Sequence, residues 1–141
     1  MNLVGIELWR VAVAAIAAFM VGGLWYSPLL FARPWMKAMG YDPDDKQKCE
    51  EMKKGAGPLY AMAFLSSLVT AAVLAKFLSV LGASEPLYGM KIAFAAWLGF
   101  VATTQLTGTL FGKKPIVLFF IDSGHQLVGF MVIALVLTLG K

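Results

Sequence analysis

Four long apolar runs dominate the chain, at about residues 11–31, 58–81, 92–111 and 116–139. Roughly 20 helical residues span the hydrocarbon core of a bilayer, so each run is long enough to cross it. The pattern therefore predicts four transmembrane helices in a single membrane domain that occupies residues 1–141. The first run is too long for the apolar region of a signal peptide, and we expect it to remain in the mature chain.

The polar segment between the first two runs carries two helix-start signals, each a predicted N-cap residue followed by a proline at the first helical position. Ser27 is followed by a proline, which predicts a helix over about residues 28–39 that lies along the cytoplasmic membrane interface. Asp42 is also followed by a proline, and a short polar helix is predicted over about residues 43–54. The predicted fold is therefore all-α: an integral membrane four-helix bundle with an interfacial helix and a short polar helix between its first two spans.

Basic residues are concentrated in two of the three loops between the runs, and this asymmetry predicts the orientation of the helices. Arg10, Lys91 and Lys141 lie on the opposite side in this topology. Cytoplasmic loops carry an excess of Lys and Arg, so we expect loops one and three to be cytoplasmic and both termini to lie outside. Arg33 and Lys37 are candidate contacts for anionic lipid headgroups. The basic residues are Arg33, Lys37, Lys46, Lys48, Lys53 and Lys54 in loop one, and Lys113 and Lys114 in loop three.

The composition excludes a soluble domain and several kinds of site. Of the 141 residues, 60% are hydrophobic and 14% are charged, whereas soluble domains carry about 25% charged residues. The formal net charge of +4 comes from basic residues between the apolar runs, so we attribute it to topology and headgroup contacts rather than to nucleic-acid binding. The single cysteine, Cys49, excludes an intrachain disulfide and a multi-cysteine metal site.

Small residues recur every four positions on three of the predicted spans. Such stripes let helices approach closely in a membrane, where no water is expelled between them. The pattern predicts a tight bundle, and it leaves open whether each stripe packs within one chain or joins two chains. The stripes are Ala14, Ala18 and Gly22 on the first span, Ala63, Ser67, Ala71 and Ala75 on the second, and Ala95, Gly99, Thr103 and Thr107 on the third.

The fourth span contains a polar cluster that is costly to leave in lipid. Asp122, His125 and Gln126 share one helix face by their spacing of three and four residues. A charged aspartate in the hydrocarbon region costs a few kcal/mol, so Asp122 should face the bundle and find a partner there. A rise of about 1.5 Å per residue places Asp122 and His125 roughly 9–14 Å from the cytoplasmic end of the span. The same count on the other spans reaches Trp25, Tyr26, Ser27, Ser66, Ser67, Thr103, Thr104 and Gln105.

Two interpretations of this polar layer remain open. In the first, the side chains satisfy one another and set the register of the bundle, as Ser and Thr do routinely in membrane helices. In the second, they line a small polar cavity, open to the cytoplasm, that binds a proton, a cation or a small polar ligand. An intramembrane acid beside a titratable imidazole is costly if it serves packing alone, which gives the second interpretation the same weight as the first. The candidate site residues are then Asp122, His125, Gln126, Thr103, Thr104, Thr107, Ser67, Trp25, Tyr26 and Ser27.

Four motifs extend over nearly the whole chain. They are WYSPLLF at residues 25–31 followed by Trp35-Met36, WLGF at residues 97–100, Leu110-Phe111 with Lys114-Pro115, and DSGHQLVGF at residues 122–130. Together they resemble the small bacterial membrane proteins grouped as domain of unknown function 1761. The resemblance implies four membrane helices, a place in the bacterial cytoplasmic membrane and no established activity. That family more often has tyrosine at the position of His125, which gives Asp122 and residues 25–28 the greater weight in any mechanism.

The sequence favours a transport protein over an enzyme. It has no nucleophile with a recognisable base and acid, no Gly-rich phosphate loop, no paired carboxylates in the spans and one histidine. We therefore expect no catalytic residue, metal or cofactor, unless a second copy supplies another His125 for haem or a metal. The favoured hypothesis is a permease or channel-like protein, and because four helices can hardly enclose a path alone, it requires a homo-oligomer. The alternative is a structural or lipid-binding module in which the polar layer only fixes helix packing.

Overall fold

The computed structural model describes residues 2–3, by their backbone only, and residues 6–139. Lys141, which the topology prediction places outside the membrane, lies outside the described residues. A short hairpin, in which Asn2–Leu3 pairs antiparallel with Ile6–Glu7, precedes the helices. The helices are α1 (Leu8–Trp25), α2 (Ala32–Ala38), α3 (Lys46–Lys54), α4 (Ala56–Val80), α5 (Pro86–Ala96), α6 (Thr103–Phe111) and α7 (Ile116–Thr138), with a π-helical segment, Trp97–Ala102, between α5 and α6. This arrangement confirms the all-α fold.

In the described part of the chain, four helices are long and apolar enough to cross a membrane. They are Leu8–Trp25, Ala56–Val80, Pro86–Phe111 and Ile116–Thr138. The prediction of four spans is therefore confirmed. The second and fourth spans start and stop within two residues of their predicted bounds, whereas the end of the first and the start of the third differ more.

The first span ends at Trp25 instead of residue 31. A proline disfavours the α conformation in the residue before it, so Pro28 keeps Ser27 from continuing the helix. The Ser27 hydroxyl donates a 2.6 Å hydrogen bond to the Leu24 carbonyl at the end of α1. The prediction that Ser27 caps a new helix is therefore wrong.

The two loop helices, α2 and α3, begin four and three residues later than predicted. For α3 the capping residue is Asp45, whose Oδ1 accepts a 3.1 Å hydrogen bond from a backbone amide in the first turn. Asp42, the predicted cap, instead accepts a 2.9 Å hydrogen bond from the Asp44 amide in the preceding turn. Asp42 thus stabilises the turn, and Asp45 caps the helix.

The third span begins at Pro86, six residues earlier than predicted. Proline is favoured in the first turn of a helix because its φ is preset and its missing amide needs no partner there. Lys91 interrupts the apolar run and so hid this start from the hydropathy pattern. Its exposed side chain is compatible with a helix near the membrane surface, where a lysine extends its ammonium group toward the headgroups.

Helix α7 lies at the centre of the bundle. It packs against α1 and against α5, and α4 packs along α1. We call the end that carries α2, α3 and the α6–α7 turn the loop end, and the end that carries the hairpin and Leu139 the terminal end. At the terminal end Arg10 pairs with Glu7 and donates a 2.6 Å hydrogen bond to the Leu139 carbonyl, which joins α1 to α7.

The apolar core fills the terminal half of the bundle. A Cβ added to Gly89 would lie 2.7 Å from the Thr138 Cγ2, so α5 and α7 approach this closely only because Gly89 has no side chain. Thr138 is 1% exposed, and its hydroxyl donates a 2.7 Å hydrogen bond to the Ala134 carbonyl. The main core residues are Val11, Ala14, Ala15, Ala71, Leu74, Ala75, Leu78, Ala93, Ile133, Ala134 and Leu137.

Two of the three small-residue stripes pack within the chain, because those on α1 and α4 contribute buried alanines to the core. The stripe on the third span lies on an exposed face instead. The inward face of that span runs through Gly89, Ala93, Trp97 and Ala102, with a five-residue step inside the π-helical segment. A π-helical turn contains an extra residue, so the four-residue spacing does not identify this face.

Candidate functional site

A cavity of about 440 Å³ lies between α1, α4 and α7 in the loop half of the bundle. It occupies the space next to the apolar core, which ends near Ala18, Ala71 and Ile133. Its lining is mostly apolar with a limited set of polar groups, as is typical of small-molecule sites. The polar and titratable residues that line it are Tyr26, Tyr60, Ser66, Ser67, Thr70, His125 and Gln126.

Small residues create the space for this cavity. Gly22, Gly23 and Ala63 line it on α1 and α4, and Gly129 lines it on α7. Gly129 is buried, yet a Cβ added there would have no atom within 4 Å. The helices are therefore close enough to bury this glycine but leave open room directly above it.

Asp122 has a hydrogen-bond partner within the bundle, as expected from the free-energy cost of leaving its carboxylate in lipid. The Tyr26 hydroxyl donates a 2.6 Å hydrogen bond to the Asp122 Oδ1, and both residues are partly buried. The carboxylate is thus held directly behind the tyrosine that lines the cavity. Hydrogen bonds to an ionised acceptor are short and about twice as strong as neutral ones.

His125 fills a niche formed by the end of α1. A Cβ added to Gly22 would lie 2.8 Å from the His125 Nε2, so the imidazole occupies the space that a side chain at Gly22 would need. The ring centroid of His125 lies 5.2 Å from that of Tyr26 and 6.5 Å from that of Trp25. The histidine is therefore enclosed on one side by aromatic rings and faces the cavity on the other.

Two indole groups fix the backbone of α7 beside this niche. The Trp25 Nε1 donates a 2.9 Å hydrogen bond to the Ile121 carbonyl, and the Trp97 Nε1 donates one of 2.9 Å to the Ser123 carbonyl. A Cβ added to Gly124 would lie 3.1 Å from the Trp25 ring, so this glycine provides room for the indole. Three of the sequence motifs, at residues 25–31, 97–100 and 122–130, therefore meet at one point in the fold.

Apart from the exposed Tyr60, four polar side chains in the lining have no hydrogen-bond partner among the described residues. They are Ser67, Thr70, His125 and Gln126. Their polar atoms stay accessible from the cavity, since the Gln105 Oε1 on α6 is the one fully buried and unpartnered side-chain atom within residues 6–139. Ser66 differs, because its hydroxyl donates a 2.9 Å hydrogen bond to the Met62 carbonyl of its own helix. The cavity thus presents donors and acceptors that the protein itself does not satisfy.

The structure brings together about half of the residues predicted from the polar layer. Tyr26, Ser67, His125 and Gln126 line the cavity, and Asp122 and Trp25 contact the lining from behind. Ser27 does not line the cavity, because its hydroxyl points back to the Leu24 carbonyl.

The structure does not bring the three predicted threonines into the cavity. Thr103, Thr104 and Thr107 lie on the exposed face of α6, and each hydroxyl donates to a carbonyl four residues earlier, at 2.7, 2.8 and 3.0 Å. Counting residues along a span gives the depth of a side chain but not the direction in which it points. These three residues therefore share a depth with Asp122 without sharing its site.

The sequence prediction missed several lining residues, chiefly Phe19, Tyr60, Thr70 and Phe130. A signal was present for one of them, because Thr70 follows Ser67 by three residues and so continues the same face of α4. Tyr60 lies near the start of the second span, where an aromatic residue is typical of the membrane interface and does not indicate a cavity. The two phenylalanines cannot be told from other apolar residues of the spans by pattern alone.

The candidate headgroup residues lie on α2 at the loop end. The Arg33 Nη2 is 2.9 Å from the Asp44 Oδ1, and both side chains are exposed. Lys37 is exposed as well. Among the residues that the structure describes, no group of three His, Cys, Asp or Glu side chains is arranged to hold a metal ion.

Comparison with known families gives one match. A family model described as "Protein of unknown function (DUF1761)" matches residues 9–138, which covers nearly the whole chain. No curated protein and no solved structure matches the sequence. The matched region includes both the turn after α1 and the polar cluster of α7.

Proposed function

The chain belongs to the family of unknown function DUF1761, and from its cavity we propose that it is a homo-oligomeric permease or channel-like protein. In this proposal the cavity handles a proton, a cation or a small polar ligand. Asp122 is the protonatable or cation-binding group, and His125, Gln126, Tyr26 and Ser67 complete the site. The role is binding and translocation, without chemical change of the ligand.

The observation that carries the proposal is the set of polar side chains without protein partners. If the polar layer served only to fix helix register, its members would pair with one another. Ser67, Thr70, His125 and Gln126 instead face a common space and make no hydrogen bond to described residues. Since an unsatisfied polar group in a membrane is costly, water or a ligand must complete these bonds.

The unequal packing of the two halves supports a transport role. The cavity lies in the loop half, whereas the terminal half is closed by the apolar core around Ala15, Leu78 and Ile133. A cavity in one half of the bundle with a packed core in the other half is compatible with one of the two states that alternating access requires. The second state would need the helices of the terminal half to separate.

The exposed face of the third span supports an assembly of several copies. Gly99 and Gly108 lie on it, and a Cβ added to either would meet no atom within 4 Å. Small residues on an exposed helix face allow another helix to approach closely in a bilayer. Four helices from one chain can hardly enclose a translocation path by themselves, so the proposal requires more than one copy.

We further propose that the loop end is cytoplasmic, in the bacterial cytoplasmic membrane, with both termini outside. The basic residues of α2, α3 and the α6–α7 turn support this orientation.

Flux in liposomes tests the proposed function. Protein is reconstituted with an entrapped pH-sensitive dye for protons, or with labelled rubidium as a cation probe. We expect Asp122→Asn to abolish flux while the protein stays folded, because asparagine still accepts a hydrogen bond from the Tyr26 hydroxyl. Glu51→Gln, an equal change of charge on the exposed surface of α3, serves as the matched control. Flux that is the same for Asp122→Asn and the wild type would contradict the proposal.

A second candidate function is a structural or lipid-binding module. The observation that favours it is α2, which contains no buried residue, together with the preceding turn, where Leu29 is 82% exposed. Arg33 and Lys37 lie beside this apolar surface and could hold anionic headgroups. If this module is the function, replacing both with glutamine will reduce anionic lipid retained in native mass spectrometry. Lys91→Gln at the terminal end is the control, and Asp122→Asn will then lower thermal stability alone.

A further inference from the structure

The size of the cavity indicates an organic ligand. Its volume of about 440 Å³ falls within the range of roughly 300–1,000 Å³ that is typical of small-molecule pockets. Tyr60 and Thr70 both line it and are separated by about 15 Å along α4 at a rise of 1.5 Å per residue. A proton or a bare metal ion would occupy a small fraction of this space.

Aromatic residues are prominent in the lining of the cavity. Phe19, Tyr26, Tyr60 and Phe130 contribute side chains from all three helices that form the cavity, and the His125 ring lies among them. The faces of such rings carry negative electrostatic potential, which attracts ammonium groups lying within about 6 Å of the ring centroid. The lining is therefore suited to an alkylammonium group, and its apolar parts suit the carbon chain attached to one.

The charged groups around the cavity also favour a cationic ligand. Among the described residues, no Lys or Arg lines the cavity. Asp122 lies at the cavity wall, where its Oδ1 accepts a 2.6 Å hydrogen bond from the hydroxyl of the lining residue Tyr26. His125 is the basic group of the lining, and in its neutral form its free ring nitrogen accepts a hydrogen bond. One carboxylate without an opposing lysine or arginine favours a cation and disfavours an anion in a low-dielectric site.

We propose that this cavity binds a small organic cation, with its alkylammonium group among the aromatic rings near Tyr26 and Tyr60 and with Asp122 as the counter-charge. Ser67, Thr70 and Gln126 hydrogen-bond to polar groups elsewhere on the ligand. The inference rests on the proposed function, since it names the ligand class of the same site.

Three probes of nearly equal shape separate charge from size. Choline carries a trimethylammonium group, dimethylbutanol replaces its nitrogen with carbon and is uncharged, and dimethylbutanoate has the same branched end and carries a carboxylate. Binding of each to the full chain in mild detergent is measured by isothermal titration calorimetry. Cation–π attraction and the carboxylate together should make choline bind about tenfold more tightly than dimethylbutanol. Dimethylbutanoate should bind more weakly than either.

Two substitutions at Tyr60 test whether the ammonium group lies against its ring, and both leave the Tyr26–Asp122 hydrogen bond unchanged. Tyr60 is 60% exposed and makes no hydrogen bond among the described residues, so replacing it should leave the fold intact. Tyr60→Leu should weaken choline binding about fivefold and leave dimethylbutanol unchanged, whereas Tyr60→Phe should keep the preference for choline. Asp122→Asn should reduce that preference, and Glu51→Gln should not.

Equal binding of choline and dimethylbutanol, tighter binding of dimethylbutanoate, or no binding of choline would overturn the inference. So would equal effects of Tyr60→Leu on choline and on dimethylbutanol. Liposome flux distinguishes these failures from failure of the proposed function. If flux depends on Asp122 but choline shows no preference, only the ligand class is wrong. If choline binds as expected but Asp122→Asn changes neither the flux of protons or rubidium nor that of labelled choline, the cation site stands and the transport role is wrong.

Discussion

Replacing Tyr26 with phenylalanine would remove the hydroxyl that donates a 2.6 Å hydrogen bond to the Asp122 carboxylate. The ring would remain against His125, so packing is preserved and the loss is confined to one interaction. A hydrogen bond to a charged group contributes about 1.5–3 kcal/mol in proteins, whereas interhelical hydrogen bonds in membrane proteins average about 0.6 kcal/mol and reach about 1.7 kcal/mol. Because this bond is short and partly buried, we expect Tyr26→Phe to lower the free energy of unfolding by about 1–2 kcal/mol.

A double-mutant cycle isolates the part of the interaction that depends on the charge of Asp122. The free energy of unfolding is measured in bicelles for the wild type, Tyr26→Phe, Asp122→Asn and the double variant, with Tyr60→Phe as the matched control for loss of a phenolic hydroxyl. We expect a coupling energy of about 1 kcal/mol, since Asp122→Asn keeps the acceptor but removes its charge. A coupling energy below about 0.3 kcal/mol, the ordinary error of additivity, would refute the view that the Tyr26 hydroxyl stabilises a charged carboxylate at Asp122. Equal costs for Tyr26→Phe and Tyr60→Phe would refute it as well.

Three further predictions follow from close contacts and open space in the bundle. Gly89→Ala should destabilise the fold by about 1–2 kcal/mol, because overpacking against the Thr138 methyl group exceeds the gain in helix propensity; adding Thr138→Ser, which removes that methyl group and keeps the hydroxyl, should restore the free energy of unfolding. Gly129→Leu should fill the cavity and abolish flux in liposomes without lowering the melting temperature, and a large loss of stability would contradict the open space seen there. Trp25→Phe should lower the free energy of unfolding by about 1 kcal/mol through loss of its interhelical hydrogen bond, whereas Trp9→Phe at the 62% exposed Trp9 should leave it nearly unchanged.

The spans were predictable because the bilayer imposes one requirement on every helix that crosses it. A long run of apolar residues satisfies this requirement whatever its neighbours are, so four runs predicted four helices. Local chemistry then decided where each helix ends. Pro28 stops the first span at Trp25, and Pro86 starts the third span although Lys91 breaks its apolar run.

The sequence predicted those site residues whose side chains are costly to place in lipid. Asp122 is expensive in lipid, so it had to face a partner, and its spacing brought His125 and Gln126 to the same side of the helix. Tyr26 and Ser67 followed from their depth along α1 and α4. The same reasoning placed Thr103 and Thr104 in the layer, although the structure shows them on an exposed face with their hydroxyls bonded to their own helix.

The sequence by itself determined how many times the chain crosses the membrane and which residues are too polar to face lipid. Both follow from transfer free energies, which depend on each residue and not on its neighbours in space. Only the tertiary structure decided which helices enclose the cavity and which face of the third span turns inward. Those choices depend on rotation about the helix axis, set by contacts such as Gly89 against Thr138, Gly22 beneath His125 and the indoles of Trp25 and Trp97 on α7. Contacts between residues distant in sequence leave no periodic signal, so depth was predictable and direction was not.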